Sequence, residues 1–141
     1  MDNKDIGLTH IAFSVKDLDD SLAFYEKFAD MKVIHRRGER ATDARPVAWI
    51  SDLTRHFAIV LVENPESADT QLGPFGHLGV ACKSKEEMDA KLQLARADGV
   101  LRKEPVDSGP PVGYWAFLDD PDGNTLELSY GQEISYLIEN N

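Results

Sequence analysis

Apolar residues alternate with small or polar ones through LTHIAFSV, residues 8–15. Ile11, Phe13 and Val15 fall on one face of an extended chain and His10, Ala12 and Ser14 on the other, the period-two pattern of a half-buried strand. The period then changes. Leu18, Leu22, Tyr25 and Phe28 recur at helical spacing behind Asp17, a suitable N-cap. Asp19 and Asp20 stand where the helix dipole favours acids. Three further strands are predicted, from Lys32 to Gly38, Pro46 to Ile50 and His56 to Val62, so the first half reads β-α-β-β-β.

The second half repeats that order. GHLGVAC, residues 76–82, is a strand, and Ser84 with Glu87 forms a capping box for a helix carrying Met88, Leu92 and Ala95 and ended by Gly99. Strands are expected near Val100, from Gly113 to Leu118 and from Thr125 to Tyr130. In the DDPDG turn, Pro121 fixes φ and Gly123 can take a positive value. A shift of 67 residues carries His10 onto His77, Lys16 onto Lys83, Ala23 onto Ala90, Val33 onto Val100, Asp52 onto Asp119 and Leu61 onto Leu128, without a gap. The pattern predicts an α+β fold of paired βαβββ modules forming a curved, partly open barrel-like sheet. One domain over residues 1–141 would hold modules at about 7–63 and 75–131, joined by a polar linker at 64–74 with two prolines.

Composition narrows the function. At 141 residues with 42% apolar content the chain can bury a real core. No apolar run approaches the roughly 20 residues of a membrane helix, and MDNKDIG has no signal-peptide core, so a cytoplasmic protein without a membrane partner is expected. Net charge of −10 and a pI near 4.7 argue against nucleic acid as a partner. Cys82 stands alone, which rules out an internal disulfide and reads as a small buried hydrophobe.

Strand alternation points to the chemistry. His10 shares a face with Ala12 and Ser14, His77 with Gly79 and Ala81, and Glu127 with Thr125 and Ser129, so each candidate has small or hydroxyl neighbours. A lone strand histidine is commonly a hydrogen-bonded structural residue and a lone glutamate a solvated one. The duplication pairs the two histidines, and the three together read as a metal site of His10, His77 and Glu127. Such a set suits a divalent Fe, Mn, Zn, Ni or Co ion and leaves positions open for substrate. Glu127 is also the candidate for proton transfer. The same offset takes Glu127 to Val60, which cannot bind metal, while Glu63 lies on the opposite strand face unless a bulge intervenes. Arg36, Arg37, Arg40 and Arg45, against Glu39 and Asp43, form a local basic patch. With Trp49, Tyr114 and Trp115 as candidate aromatic walls, Arg45, Trp49 and Tyr114 are the substrate-contact candidates. Only one of the neighbours Tyr114 and Trp115 can face the hollow.

LTHIAFSV, DLDDSLAFYEKFADMKV, GHLGV and DPDGNTLEL, in this order and spacing, resemble the vicinal oxygen chelate superfamily, which unites glyoxalases, bleomycin resistance proteins and extradiol dioxygenases. The resemblance spans nearly the whole chain. It implies a divalent metal in a cup-shaped sheet, a small-molecule substrate that chelates it through neighbouring oxygens, and a homodimer with each site shared between subunits, His10 from one and His77 with Glu127 from the other. Departures separate the activities. Glyoxalase I and methylmalonyl-CoA epimerase usually keep an acidic or amide side chain at the place of Val60. The extradiol dioxygenase pattern has a tyrosine at the place of Phe117 and a histidine upstream that this chain lacks, leaving Tyr114, His56 or His35 to supply an acid-base group. Fosfomycin-modifying enzymes have a threonine at the place of Ala12. A metal-dependent lyase, isomerase or dioxygenase is expected; the competing expectation is a metal-independent protein that binds or sequesters a small molecule.

Overall fold

The computed structural model describes residues 4–38 and 45–141, which divide into two compact units, 1–71 and 72–141. The first runs β1 (His10–Val15), α1 (Leu18–Ala29), β2 (Lys32–Arg37), β3 (Val47–Ser51) and β4 (Ala58–Glu63). The second runs β5 (His77–Ala81), α2 (Lys85–Asp98), β6 (Leu101–Asp107), β7 (Tyr114–Asp119), β8 (Thr125–Tyr130) and a short α3 (Ile134–Glu139). Each unit holds one open four-stranded sheet, ordered β1-β4-β3-β2 and β5-β8-β7-β6. The α+β class and the repeated β-α-β-β-β order match the sequence pattern. The short helix α3 was not expected, although Ile134, Leu137 and Ile138 recur at helical spacing; these three and Tyr136 are all exposed.

Both long helices begin and end where their side chains dictate. Asp17 accepts a hydrogen bond from the Asp20 amide at 3.0 Å, and the helix closes on Asp30 in the left-handed region. Ser84 accepts from the Glu87 amide at 3.0 Å, while the Glu87 carboxylate reaches back to the Lys83 amide, one residue before the cap. Gly99 ends α2 at φ 72°.

The alternation of β1 and β4 sends Phe13, Val15, Ile59 and Leu61 into a core with Leu18, Tyr25 and Phe28 of α1. In the second unit Ala116, Leu118, Leu126 and Leu128 are buried, as are Met88, Leu92 and Ala95 of α2. Cys82 is buried as a hydrophobe. Glu63 falls on the buried side as well. Its Oε2 accepts the Leu18 amide at 2.9 Å, so this carboxylate caps the entry to α1. The β1/β4 register runs without a bulge from His10 against Ala58 to Val15 against Glu63, which keeps Glu63 and Val60 on opposite faces.

The turn before β8 is built around buried acids and amides. Asp120 Oδ1 accepts the amides of Asp122 at 2.9 Å and Asn124 at 2.8 Å, and fully buried Asn124 accepts the Leu72 amide at 3.0 Å. Asn124→Ala is expected to cost about 1–3 kcal/mol, because it leaves the Leu72 amide without its acceptor. Urea denaturation checks this: a loss below about 0.5 kcal/mol would mean that water replaces the side chain without penalty.

Candidate functional site

In parallel strands, residues far apart in sequence become register partners on one face. In the second unit β5 runs parallel to β8, with His77 opposite Thr125 and Gly79 opposite Glu127. His77 and Glu127 are therefore diagonal neighbours, and Nε2 of the one lies 3.8 Å from Oε1 of the other. Their side chains are only 25% and 13% exposed. Gly79 lies against the Glu127 side chain: a Cβ there would sit in ordinary van der Waals contact, 3.5 Å from Glu127 Oε2.

The His77 ring is oriented from behind. Nδ1 lies 2.9 Å from the Phe75 carbonyl, which can only accept, so Nδ1 carries a proton and Nε2 is the ring nitrogen turned toward Glu127, bare whenever the ring is neutral. Phe75 and Phe117 bracket the imidazole, each with its centroid 5.4 Å away. Partial burial raises the Glu127 carboxyl above its ordinary pKa, opposed by His77 and by a hydrogen bond with Gln132. A lone pair facing a carboxylate is an arrangement that a cation placed between them stabilises. The 3.8 Å separation is shorter than two metal–ligand bonds of about 2.1 Å end to end, so a single ion can contact both groups. The carbonyl-held Nδ1 is the supporting hydrogen bond that metal-binding histidines usually make.

In the first unit His10 begins β1 on the exposed face, its Nδ1 2.8 Å from the Thr9 hydroxyl. It lines a cavity of about 570 Å³ together with Trp49, His56 and Val60. Val60 thus occupies the face that the 67-residue offset predicts for the duplicate of Glu127. Among the described residues no three His, Cys, Asp or Glu side chains lie close enough together to hold a metal ion.

The remaining candidates separate. Trp49 faces the cavity, with His35 edge-on against it at 4.9 Å. Arg45 donates to the Glu63 carbonyl at 3.4 Å. Tyr114 lies on the α2 side of its sheet, donating its hydroxyl to Asp89 at 3.3 Å with Lys85 over its ring, and burial and Asp89 raise its pKa. Its neighbour Trp115 takes the other face, stacked at 4.8 Å on Phe117, which is the register partner of Glu127. Arg40, Glu39 and Asp43 lie outside the described residues.

Sequence reasoning missed Phe75, Phe117 and Gln132 around the His77–Glu127 pair, and Arg102, which bonds Asp119 at 2.8 Å and the Thr125 hydroxyl. The parity of β7 could have signalled Phe117, since it aligns with Trp115 and Asp119. No local pattern marks Gln132 or Arg102.

The comparisons agree with this architecture. The model of the Glyoxalase/Bleomycin resistance protein/Dioxygenase superfamily matches residues 7–128, and the chain belongs to that family. It is 36% identical over 129 residues to an uncharacterized protein of Pseudomonas aeruginosa, covering 90% of each. It is 32% identical over 128 residues to a probable chloroplastic lactoylglutathione lyase of Arabidopsis thaliana, spanning 86% of this chain but 35% of that protein. Among solved structures it resembles a mutant of the fosfomycin resistance protein FosX from Listeria monocytogenes, complexed with Mn(II) and 1S,2S-dihydroxypropylphosphonic acid (TM-score 0.69, 23% identity, covering 94% and 97% of the two chains). A glyoxylase/bleomycin resistance protein/dioxygenase domain from Frankia sp. EAN1pec is similar to the same degree (TM-score 0.69, 25% identity, 92% and 100% covered).

The carbonyl contact predicts the tautomer. In metal-free protein with the ring neutral, nitrogen NMR should find His77 protonated at Nδ1 and bare at Nε2. The opposite tautomer would show that Nε2 is not available as a ligand.

Proposed function

We propose that this chain is a divalent-metal-dependent enzyme acting on a small substrate that binds the ion through adjacent oxygens, with His10, His77 and Glu127 as the ligands. One observation carries the reading: His77 Nε2 and the Glu127 carboxylate face each other at 3.8 Å with the imidazole held from behind by the Phe75 carbonyl. His10 of a second copy would complete the site, as the resemblance to the superfamily implies for a dimer. A bound divalent ion would polarise the substrate oxygens and lower the energy of an adjacent oxyanion.

The chain's own residues supply the rest. His77 offers Nε2 in fixed orientation. Glu127 is the carboxylate that would exchange a proton with a carbon beside the chelating oxygens. Phe75 and Phe117 restrict water around the pair. Lyase or isomerase chemistry by proton transfer is the preferred reaction class, supported by the likeness to lactoylglutathione lyases. Phe117 offers no hydroxyl where the dioxygenases of the family carry a tyrosine, which weighs against ring cleavage.

Metal analysis after reconstitution with Mn(II), Ni(II), Zn(II), Co(II) or anaerobic Fe(II) tests the ligand set. Glu127→Gln should reduce metal affinity by at least about tenfold, in line with loss of a charged ligand, while Glu63→Gln should leave it unchanged because that carboxylate caps α1. Equal loss in both variants, or in neither, would overturn the assignment. The shared site has its own test. Mixing His10→Ala chains with Glu127→Ala chains and allowing exchange should restore metal binding in one site of each heterodimer. No recovery in proven heterodimers would mean that each site is built from a single chain.

A further inference from the structure

The cavity of the first unit has a chemistry of its own. Its walls include Trp49, Ile34, Leu53, Phe57 and Val60, and its volume of about 570 Å³ is that of a site for a small organic molecule. Trp49 is 37% exposed and held by His35 through an edge contact, which fixes the indole as a wall. The loop between β3 and β4 displays Leu53 at the mouth. Leu53 is 67% exposed and has φ 63°, a conformation that side-chain-bearing residues rarely adopt. It is held there because the Leu53 amide donates to the Ser51 hydroxyl at 3.0 Å and the Thr54 amide to Asp52 at 2.9 Å. Two residues on, exposed Arg55 lines the same cavity, and its guanidinium has no ion pair among the described residues. Asp5 is the one carboxylate on the wall; His10 and His56 are the other titratable groups.

We propose that this cavity selects a small carboxylate with a hydrophobic, ring-accepting body, the body lying against Trp49 and Val60 and the carboxylate answered by Arg55. The inference rests on the metal-dependent reading for its place in the reaction, since His10 opens onto the same cavity and would bring the chelating oxygens to that end. Recognition of the body and of the charge uses first-unit residues alone. In a chain of net charge −10, an arginine without an ion pair at the mouth of an apolar cavity gives an anion a local point of attraction.

The test uses the full chain treated with chelator, titrated by calorimetry with 3-phenylpropionate, its neutral amide and propionate. The first should bind at roughly millimolar strength or tighter, and each of the others about tenfold more weakly. Arg55→Gln should erase the preference for acid over amide without changing the affinity for the amide. Val60→Phe, which fills the cavity, should weaken acid and amide alike with an unchanged circular dichroism spectrum. Should that variant misfold, Leu53→Ala at the exposed mouth should still weaken both. Equal binding of acid and amide by the unmodified chain would overturn the role of Arg55. Undiminished binding in Val60→Phe or Leu53→Ala would overturn the location, and no binding of 3-phenylpropionate would overturn the proposal entirely. Metal analysis is a separate readout: a chain that holds the ion but ignores the carboxylate refutes only this inference, and one that binds the carboxylate but no ion refutes only the metal reading.

Discussion

Parallel pairing between the first and last strands of each unit is the constraint on which everything else depends. An antiparallel hairpin joins residues that are already neighbours in sequence, whereas β1 with β4 and β5 with β8 bring together residues some fifty positions apart. That pairing sets Glu127 diagonally beside His77 and Val60 diagonally beside His10. The helix between the first two strands covers one face of each sheet and takes the large apolar side chains. Side chains of opposite parity are then left free for chemistry, and the small residues beside each histidine keep that face open.

Much of this was legible in the chain because period-two and period-3.6 patterns are local properties. The caps at Asp17 and Ser84, the stop at Gly99 and the span of β8 all follow from side chains adjacent in sequence. The offset led to Val60, which lines the cavity, and parity set Glu63 on the opposite face. What the sequence withheld depends on tertiary neighbours. Tyr114 could be assigned to a face only once Asp89 and Lys85 of α2 were seen beside it, and Arg45 only once the Glu63 carbonyl lay within reach. Strand β6 also resists sequence reading. It is an edge strand with Pro105 inside it, and its pairing slips between Lys103 and Val106.

Orientation sets the character of the His77–Glu127 pair more than proximity does. The Phe75 carbonyl holds Nδ1, so Nε2 is the nitrogen turned to Glu127, while partial burial raises the Glu127 pKa against the opposing effects of His77 and Gln132. Both groups are directed at the same small volume, with the Phe75 and Phe117 rings against the imidazole.

The face that Glu63 occupies bears on how such a duplicated chain can change over evolutionary time. Because β4 carries no bulge, the Glu63 carboxylate cannot be recruited to the cavity by sliding the strand, and the amide it caps would lose its acceptor if it were. A carboxylate aimed at the cavity would have to come from replacing Val60 itself, leaving Glu63 to cap α1. The two faces of β4 can therefore change independently, one answering to the helix and the other to the cavity.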